Sequence, residues 1–237
     1  TFDEFVFMTT IAIHQPGYLP WLPFFKKIID SDLFVFLDDV QYEKNGWQNR
    51  NKIRTSTGSM WITVPVNAKF GSNLNEIKVD LKSDWSKKHK KTLTINYSKS
   101  ENFVETWKYL ESIYDMQFDF LVEFNLQVIN VIMKLLDIHT KTVLSSELGI
   151  SEKGSKRIIE ICKVLGANTY ISGSGLPGKK YLNLDDFAKN NINIKFCSFQ
   201  YPVYRQCYDP FLPNLSTIDL LFNEGKNAKN FLLNAKI

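Results

Sequence analysis

The chain lacks any apolar run of 18 residues, so its sequence predicts no membrane insertion. It has only three cysteines, Cys162, Cys197 and Cys207, with no C-x-x-C spacing and no histidine nearby. An odd number of scattered cysteines argues against a disulfide framework and against a structural zinc site. We therefore expect a cytoplasmic protein in a reducing compartment.

Internal repeats, low-complexity tracts, the P-loop pattern and the dinucleotide fingerprint are all missing. The net charge is +4, and much of the excess lies in the basic run 87–91 at the start of a predicted helix. Aromatic residues do not interleave with this run, so a solvated helix face explains it better than a surface for base stacking. We expect no nucleic-acid partner.

The composition of the 237 residues, 44% hydrophobic and 23% charged, is typical of a globular protein with one sizeable domain. We expect a single α/β domain over residues 9–225, with a mainly helical region at about 85–137 and a C-terminal tail over 226–237. Residues 1–8 carry two acidic residues and no basic one, unlike a signal peptide. We expect them to be an appended or disordered stretch ahead of a natural start at Met8.

Two predicted strands begin the domain, and each ends in polar residues. The apolar run 11–13 leads into His14-Gln15-Pro16-Gly17-Tyr18, and the apolar run 33–37 leads into Asp38 and Asp39. A helix at roughly 21–31 would join them as a right-handed βαβ unit of a parallel, Rossmann-like sheet. Because the carboxyl ends of parallel strands share one edge, His14, Asp38 and Asp39 are the catalytic candidates.

Each of these residues has more than one role open to it. His14 is expected to bind a phosphate or to act as a general acid or base with a pKa near neutrality, the alternative being a turn histidine satisfied by the backbone. Gln15 and Tyr18 are expected to orient the substrate, although Tyr18, between two prolines, could instead pack in the core. Asp38 and Asp39 should point to opposite faces of a strand, so that one binds a sugar hydroxyl, an amine or magnesium while the other caps the next turn.

A polar loop is predicted from Gln41 to Arg54, and it is dense in amide and guanidinium groups. Such groups suit a diphosphate or a sugar, because arginine gives bidentate, charge-assisted hydrogen bonds. The alternative is a surface loop with ordinary charges. The substrate-binding candidates in this segment are Gln41, Asn45, Gln48, Asn49, Arg50 and Arg54.

A second candidate loop follows the predicted strand 169–172, where three glycines occur within six residues. Converging backbone N–H groups and two lysines would suit an anion, the alternative being a flexible connection. The phosphate-binding candidates are Ser172, Gly173, Ser174, Gly175, Lys179 and Lys180. Farther along, Asp219 lies in an apolar helical stretch and needs a partner, for which Arg205 and Arg50 are the candidates.

Four separated motifs resemble the WbqC-like family: residues 14–21, 37–42, 48–54 and 213–225. The resemblance runs from about residue 11 to 225 and implies a role in making O-antigen or capsule sugars. More distantly, the start of the chain resembles nucleotidylyltransferases and pantothenate synthetase, where a first-turn histidine holds ATP phosphates. The usual second histidine of that pattern is replaced here by Gly17, followed by Tyr18, which puts direct adenylyl transfer in doubt.

The resemblances imply an enzyme of lipopolysaccharide synthesis that attaches a small acyl or aminoacyl group, for example glycyl, to a nucleotide-linked amino sugar. ATP and magnesium are the expected cofactors. One alternative is a nucleotidylyltransferase that forms an activated sugar, and another is a non-catalytic binder of nucleotide sugars. The oligomeric state stays open, with a homodimer as one option.

Overall fold

The computed structural model describes residues 9–173 and 182–235, and its elements follow in chain order. They are β1 (Thr10–His14), α1 (Leu22–Ile29), β2 (Leu33–Phe36), β3 (Arg50–Thr55), β4 (Gly58–Thr63), β5 (Val66–Asn67), β6 (Lys78–Val79), α2 (Trp85–Tyr97), α3 (Phe103–Glu111), α4 (Leu121–Leu135), β7 (Lys141–Leu144), α5 (Gly154–Val164), β8 (Thr169–Gly173), α6 (Leu184–Lys189), β9 (Asn193–Cys197), α7 (Thr217–Glu224) and α8 (Ala228–Asn234).

A five-stranded sheet with the order β7-β2-β1-β8-β9 forms the centre of the fold, and all four of its strand pairs are parallel. The chain adds β2 and then β7 on one side of β1, and β8 and then β9 on the other. The direction in which strands are added therefore reverses between β1 and β8. The expected α/β class with a parallel, Rossmann-like sheet is confirmed.

Both faces of this sheet are covered, which explains why its first strands are continuous apolar runs. Ala12 packs in the larger of two cores, together with α1 and the helices α2, α3, α4 and α7. Ile11 and Ile13 pack on the other face, in a smaller core with α5 and α6. No helix in the described ranges has the length and apolar content that crossing a membrane requires.

The predicted polar loop from Gln41 to Arg54 is only partly a loop. Its end forms β3, which pairs antiparallel with β4. The side chains of Asn51 and Ile53 are buried, and Asn51 donates from Nδ2 to the Leu19 carbonyl at 2.6 Å. A buried amide with a backbone partner can occupy a strand position, so a polar sequence here does not indicate a loop.

Candidate functional site

His14 ends β1 at the point where the sheet reverses. β1 pairs with β8 from Thr10 to Ala12, and beyond these pairs His14 ends β1 while Gly173 ends β8. On the other side, the Leu37 amide donates to the His14 carbonyl at 2.9 Å. Ligands of open α/β sheets bind outside the carboxyl ends of the strands at such a reversal. His14 and Gly173 therefore flank the crevice in which a ligand is expected.

The hydrogen bond of the His14 ring determines which of its nitrogens carries the proton. Its Nδ1 lies 2.9 Å from the carbonyl of Gln15, which can only accept a hydrogen bond, so Nδ1 carries the proton and Nε2 the lone pair. Burial, and then the positive charge of Lys27, lower the pKa of His14 to about 4. The expected pKa near neutrality is therefore wrong. At neutral pH the ring is uncharged and accepts a hydrogen bond or a proton at Nε2.

A small recess surrounds this ring. The edges of Trp21 and Phe24 contact the ring at centroid distances of 5.5 and 5.3 Å and fix its orientation. Gln48, which is buried, donates from Nε2 to Oε1 of Gln15 at 2.7 Å. The predicted residues His14, Gln15 and Gln48 thus meet in one place. The recess is lined by His14, Gln15, Gly17, Pro20, Trp21, Phe24, Trp47 and Gln48.

Asp38 and Asp39 form a connection between β2 and the segment after β7. Asp38 is buried and accepts from Ser145 Oγ at 3.1 Å, Ser146 N at 3.0 Å and Ser146 Oγ at 2.7 Å. Both oxygens of Asp39 lie 2.5 Å from Nη2 of Arg157. The expectation that the two side chains point to opposite faces is wrong, because both lie beyond the end of β2 and both carboxylates contact the single hydroxyl of Ser145.

This arrangement does not suit a magnesium ion at Asp38 and Asp39. Magnesium needs carboxylate oxygens with free coordination positions, whereas these oxygens already accept from hydroxyl, amide and guanidinium groups. Elsewhere in residues 9–173 and 182–235, no group of three or more His, Cys, Asp or Glu side chains is placed to hold a metal ion.

A larger groove has a cavity volume of about 840 Å³, and two of its lining residues, Asn49 and Arg50, follow Gln48 of the recess in the chain. Arg50 donates to the Asn45 carbonyl, and its guanidinium lies 4.3 Å from the centroid of the Trp61 ring. Asn49 donates to the Val64 carbonyl at 2.9 Å, while its buried Oδ1 has no partner among the described residues. Four predicted substrate-binding residues line this groove: Gln41, Asn45, Asn49 and Arg50.

Tyr18, in contrast, lies in the core. Its side chain has no exposed surface, and its hydroxyl lies 2.9 Å from His89 Nδ1 and 2.7 Å from the Tyr114 hydroxyl. Burial, and then the neighbouring Tyr114, raise the pKa of Tyr18 well above its ordinary value. The predicted substrate contact is corrected to a structural one, because both partners of the hydroxyl lie inside the protein.

Arg54 is also part of the core, and it connects β3 to a distant segment. Its Nη1 donates to the carbonyls of Thr55 at 2.9 Å and Gly58 at 2.8 Å, and its Nη2 to those of Tyr208 and Pro210 at 3.0 Å each. The side chain is 1% exposed. Its predicted role in substrate binding is corrected as well, since four backbone carbonyls occupy the guanidinium.

The second candidate loop begins at the end of β8. Ser172 is buried there and donates to the Gly173 carbonyl at 3.4 Å. The other predicted phosphate-binding residues lie outside the described ranges. They are Ser174, Gly175, Lys179 and Lys180.

Asp219 has neither of the expected arginine partners. Its Oδ2 accepts from the Tyr204 hydroxyl and from Gln206 Nε2, each at 2.8 Å. Burial raises the pKa of Asp219. The partners are tyrosine and glutamine rather than Arg205 or Arg50, and both donate to Oδ2 of a side chain that is enclosed in the core.

Two residues near the recess escaped the sequence analysis. Trp47 lines the recess. The sequence feature that could have indicated this role is an aromatic residue inside a polar segment. Lys27 is buried beneath β1, donates from Nζ to the Ile13 carbonyl at 3.3 Å, and has its pKa lowered by burial to about 8. A lysine near the end of a helix ordinarily faces solvent, so no pattern in the sequence indicates this burial.

Comparisons with known proteins identify the family of this chain. The model of the WbqC-like protein family matches residues 15–231. A protein of Mycobacterium tuberculosis (strain ATCC 25618 / H37Rv), "Uncharacterized protein Rv1507c", is 34% identical over 229 residues, which cover 95% of this chain and 98% of that protein. No solved structure matches. The family match covers the groove and every lining residue of the recess except His14, and the chain belongs to the WbqC-like protein family.

Proposed function

We propose that the chain is a transferase or ATP-dependent ligase that joins a small acyl or aminoacyl group to a nucleotide-linked amino sugar. The observation that supports this most is the reversal between β1 and β8, two neighbouring parallel strands that end at His14 and Gly173. Gln48 lines the recess of His14, and the next two residues of the chain, Asn49 and Arg50, line the polar groove. We take one ligand to occupy both.

In this proposal His14 receives the attacking amine of the sugar. Its Nε2 has a free lone pair and accepts the N–H hydrogen bond, which directs the nitrogen lone pair toward the acyl carbon. Arg50 in the groove binds the diphosphate, and the amide side chain of Asn45 binds a sugar hydroxyl. The loop that begins at Gly173 binds the phosphates of ATP.

The reaction would proceed in two balanced steps. The carboxylate of the acyl donor attacks the α-phosphorus of ATP, so that an acyl adenylate forms and pyrophosphate leaves. The sugar amine then forms the amide bond to the acyl carbon, the bond between that carbon and the AMP oxygen breaks, and the amine proton is lost through His14 to solvent. Cleavage of ATP supplies the free energy that converts the carboxylate into a reactive acyl adenylate. Asp38 and Asp39 take no part in either step.

The test is turnover with ATP, glycine and dTDP- or UDP-linked amino sugars, with and without magnesium. Mass spectrometry of the glycyl amide and of AMP reports the product. We expect His14→Ala to lower turnover by about 100-fold or more, the usual scale for losing a positioned proton acceptor. The matched control is His139→Gln, because that side chain is 84% exposed and outside the recess. Unchanged turnover in folded His14→Ala would contradict the proposal.

A second candidate is binding of a nucleotide sugar without catalysis. It is favoured by the hydrogen bonds that occupy Asp38 and Asp39, since these remove two of the three predicted catalytic groups. A rise in Tm with the sugar nucleotide, but no consumption of ATP, would support this candidate. Release of pyrophosphate that depends on a sugar phosphate would instead indicate a nucleotidylyltransferase.

The proposed compartment is the cytoplasm, where ATP and nucleotide sugars are available. It is supported by Cys162, Cys197 and Cys207, which are free thiols in the structure.

A further inference from the structure

Three of the five tryptophans form a row beside the recess. The ring centroid of Trp47 lies 5.1 Å from that of Trp21 and 5.0 Å from that of Trp61. Trp47 is 42% exposed and Trp61 is 39% exposed. Indoles are among the largest apolar side chains, and two exposed indoles in contact indicate a surface that a ligand covers.

Two cations accompany the row. The Arg50 guanidinium lies 4.3 Å, and the Lys52 ammonium 5.2 Å, from the centroid of the Trp61 ring. Both distances are within the range of a favourable cation–π interaction. These contacts hold the Trp61 indole in place. They also place positive charge beside the exposed rings, as an anionic ligand with a flat group requires.

The backbone of Trp47 is fixed to the turn that follows His14. Its carbonyl accepts from the Tyr18 amide at 3.3 Å. A Cβ added to Gly17 would lie 3.0 Å from the same carbonyl oxygen, so only glycine allows this approach without a shift. The position of the exposed indole is therefore coupled to the position of His14.

The row also joins the two parts of the site. Trp47 lines the recess, and Arg50, whose guanidinium contacts the partly exposed Trp61 ring, lines the groove. We propose that Trp47 and Trp61 are the stacking platform for the nucleobase of a nucleotide ligand, with Arg50 and Lys52 beside its diphosphate. This inference rests on the proposed function only in taking the ligand to be a nucleotide.

A nucleobase fits these residues because its flat π-face stacks on indole while its phosphates need cations. Stacking on an aromatic side chain is tolerant of base identity, so the platform should bind dTDP and UDP with similar affinity. Loss of one stacking partner should weaken binding by about 10- to 100-fold, as it does for other base-stacking aromatic side chains. Pyrophosphate, which has no base, should be insensitive to that loss.

The experiment is calorimetric titration of the full chain with dTDP, UDP and pyrophosphate. The variants are Trp47→Leu and Trp61→Leu. The matched control is Met60→Ala, because Met60 neighbours Trp61 on β4, is 40% exposed, and points to the other side of the strand. We expect both tryptophan variants to weaken binding of dTDP and UDP by about 10- to 100-fold, with pyrophosphate binding unchanged and the control unaffected.

A second measurement avoids the folding of variants. Saturating dTDP should quench tryptophan fluorescence of the unmodified chain, because the two exposed indoles would contact the base, and pyrophosphate should not. Absence of quenching, or unchanged dTDP affinity in folded Trp47→Leu, would overturn the platform. Tighter binding of a thymidine oligonucleotide than of dTDP would also overturn it, by indicating a nucleic-acid surface.

These outcomes separate the platform from the proposed function. Amide product formed at the same KM by Trp47→Leu would refute the platform and leave the proposed function standing. Tryptophan-dependent binding of dTDP without any amide product would refute the proposed function and leave the platform standing.

Discussion

A chain of buried hydrogen bonds behind the turn of residues 14–18 should make the stability of the protein depend on pH. His89 Nε2 lies 3.1 Å from the Thr63 carbonyl, which can only accept, so Nε2 carries the proton. Nδ1 then accepts from the Tyr18 hydroxyl, which in turn accepts from Tyr114. Protonation of His89 would reverse these two hydroxyl bonds without breaking them, so its main cost is the burial of a charge.

The size of the effect follows from the pKa of His89. Burial lowers it from 6.5 to about 4, with the Thr63 hydrogen bond opposing the shift. Between those values the unfolded chain binds a proton that the folded chain does not, so stability is complete above pH 6.5 and falls as the pH decreases toward 4. Linkage with these two pKa values gives a loss of about 2 kcal/mol at pH 5.

The assay is urea unfolding of the original chain and of His89→Gln at several pH values from 7.5 to 4.5. Glutamine does not titrate, so we expect its curve of unfolding free energy against pH to be shallower by up to about 1.4 kcal/mol per pH unit. His139→Gln, on the surface, is the control and should follow the original chain. Parallel curves for His89→Gln and the original chain would refute the reasoning.

Three further predictions concern the fixed parts of the site. Arg54→Met should lower the unfolding free energy by about 3 kcal/mol or more, because four carbonyls lose their donor, and a loss below 1 kcal/mol in urea unfolding would contradict this. Asp39→Asn should cost about 1 to 3 kcal/mol by the same assay, since the guanidinium of Arg157 keeps little exposure and loses its charge partner. Lys27→Met should raise the pKa of His14 above about 4 in an NMR titration, because a neighbouring positive charge is removed, and an unchanged value would show that burial alone sets it.

The first strands of the central sheet could be predicted because strands that are buried on both faces consist of continuous apolar residues. The runs 11–13 and 33–37 have no polar residue, and the structure places β1 and β2 there. The first helix of the expected helical region 85–137 begins at Trp85. These elements bury side chains in a regular pattern, so the periodicity of apolar residues indicates where each strand or helix lies.

Buried polar residues had no such pattern. Arg54, Tyr18 and Asp219 have the side chains of a binding site, yet each forms hydrogen bonds with residues between 13 and 156 positions away in the chain. A single sequence does not indicate which polar groups meet such partners. The polar residues that remained available are those that line the groove, and among them Arg50 has an indole, rather than a carboxylate, against its guanidinium.

The order of the strands in the sheet decides which of the three predicted catalytic residues lie at the reversal. A βαβ unit places the ends of β1 and β2 side by side, and this holds whichever strand lies on the other side of β1. Only the order β7-β2-β1-β8-β9 places His14 at the reversal and Asp38 and Asp39 between β2 and β7. Because no reversal occurs between β2 and β7, that end of the sheet closes with serine and arginine contacts. The reversal lies between β1 and β8, and His14, the last residue of β1, is the predicted catalytic residue next to it.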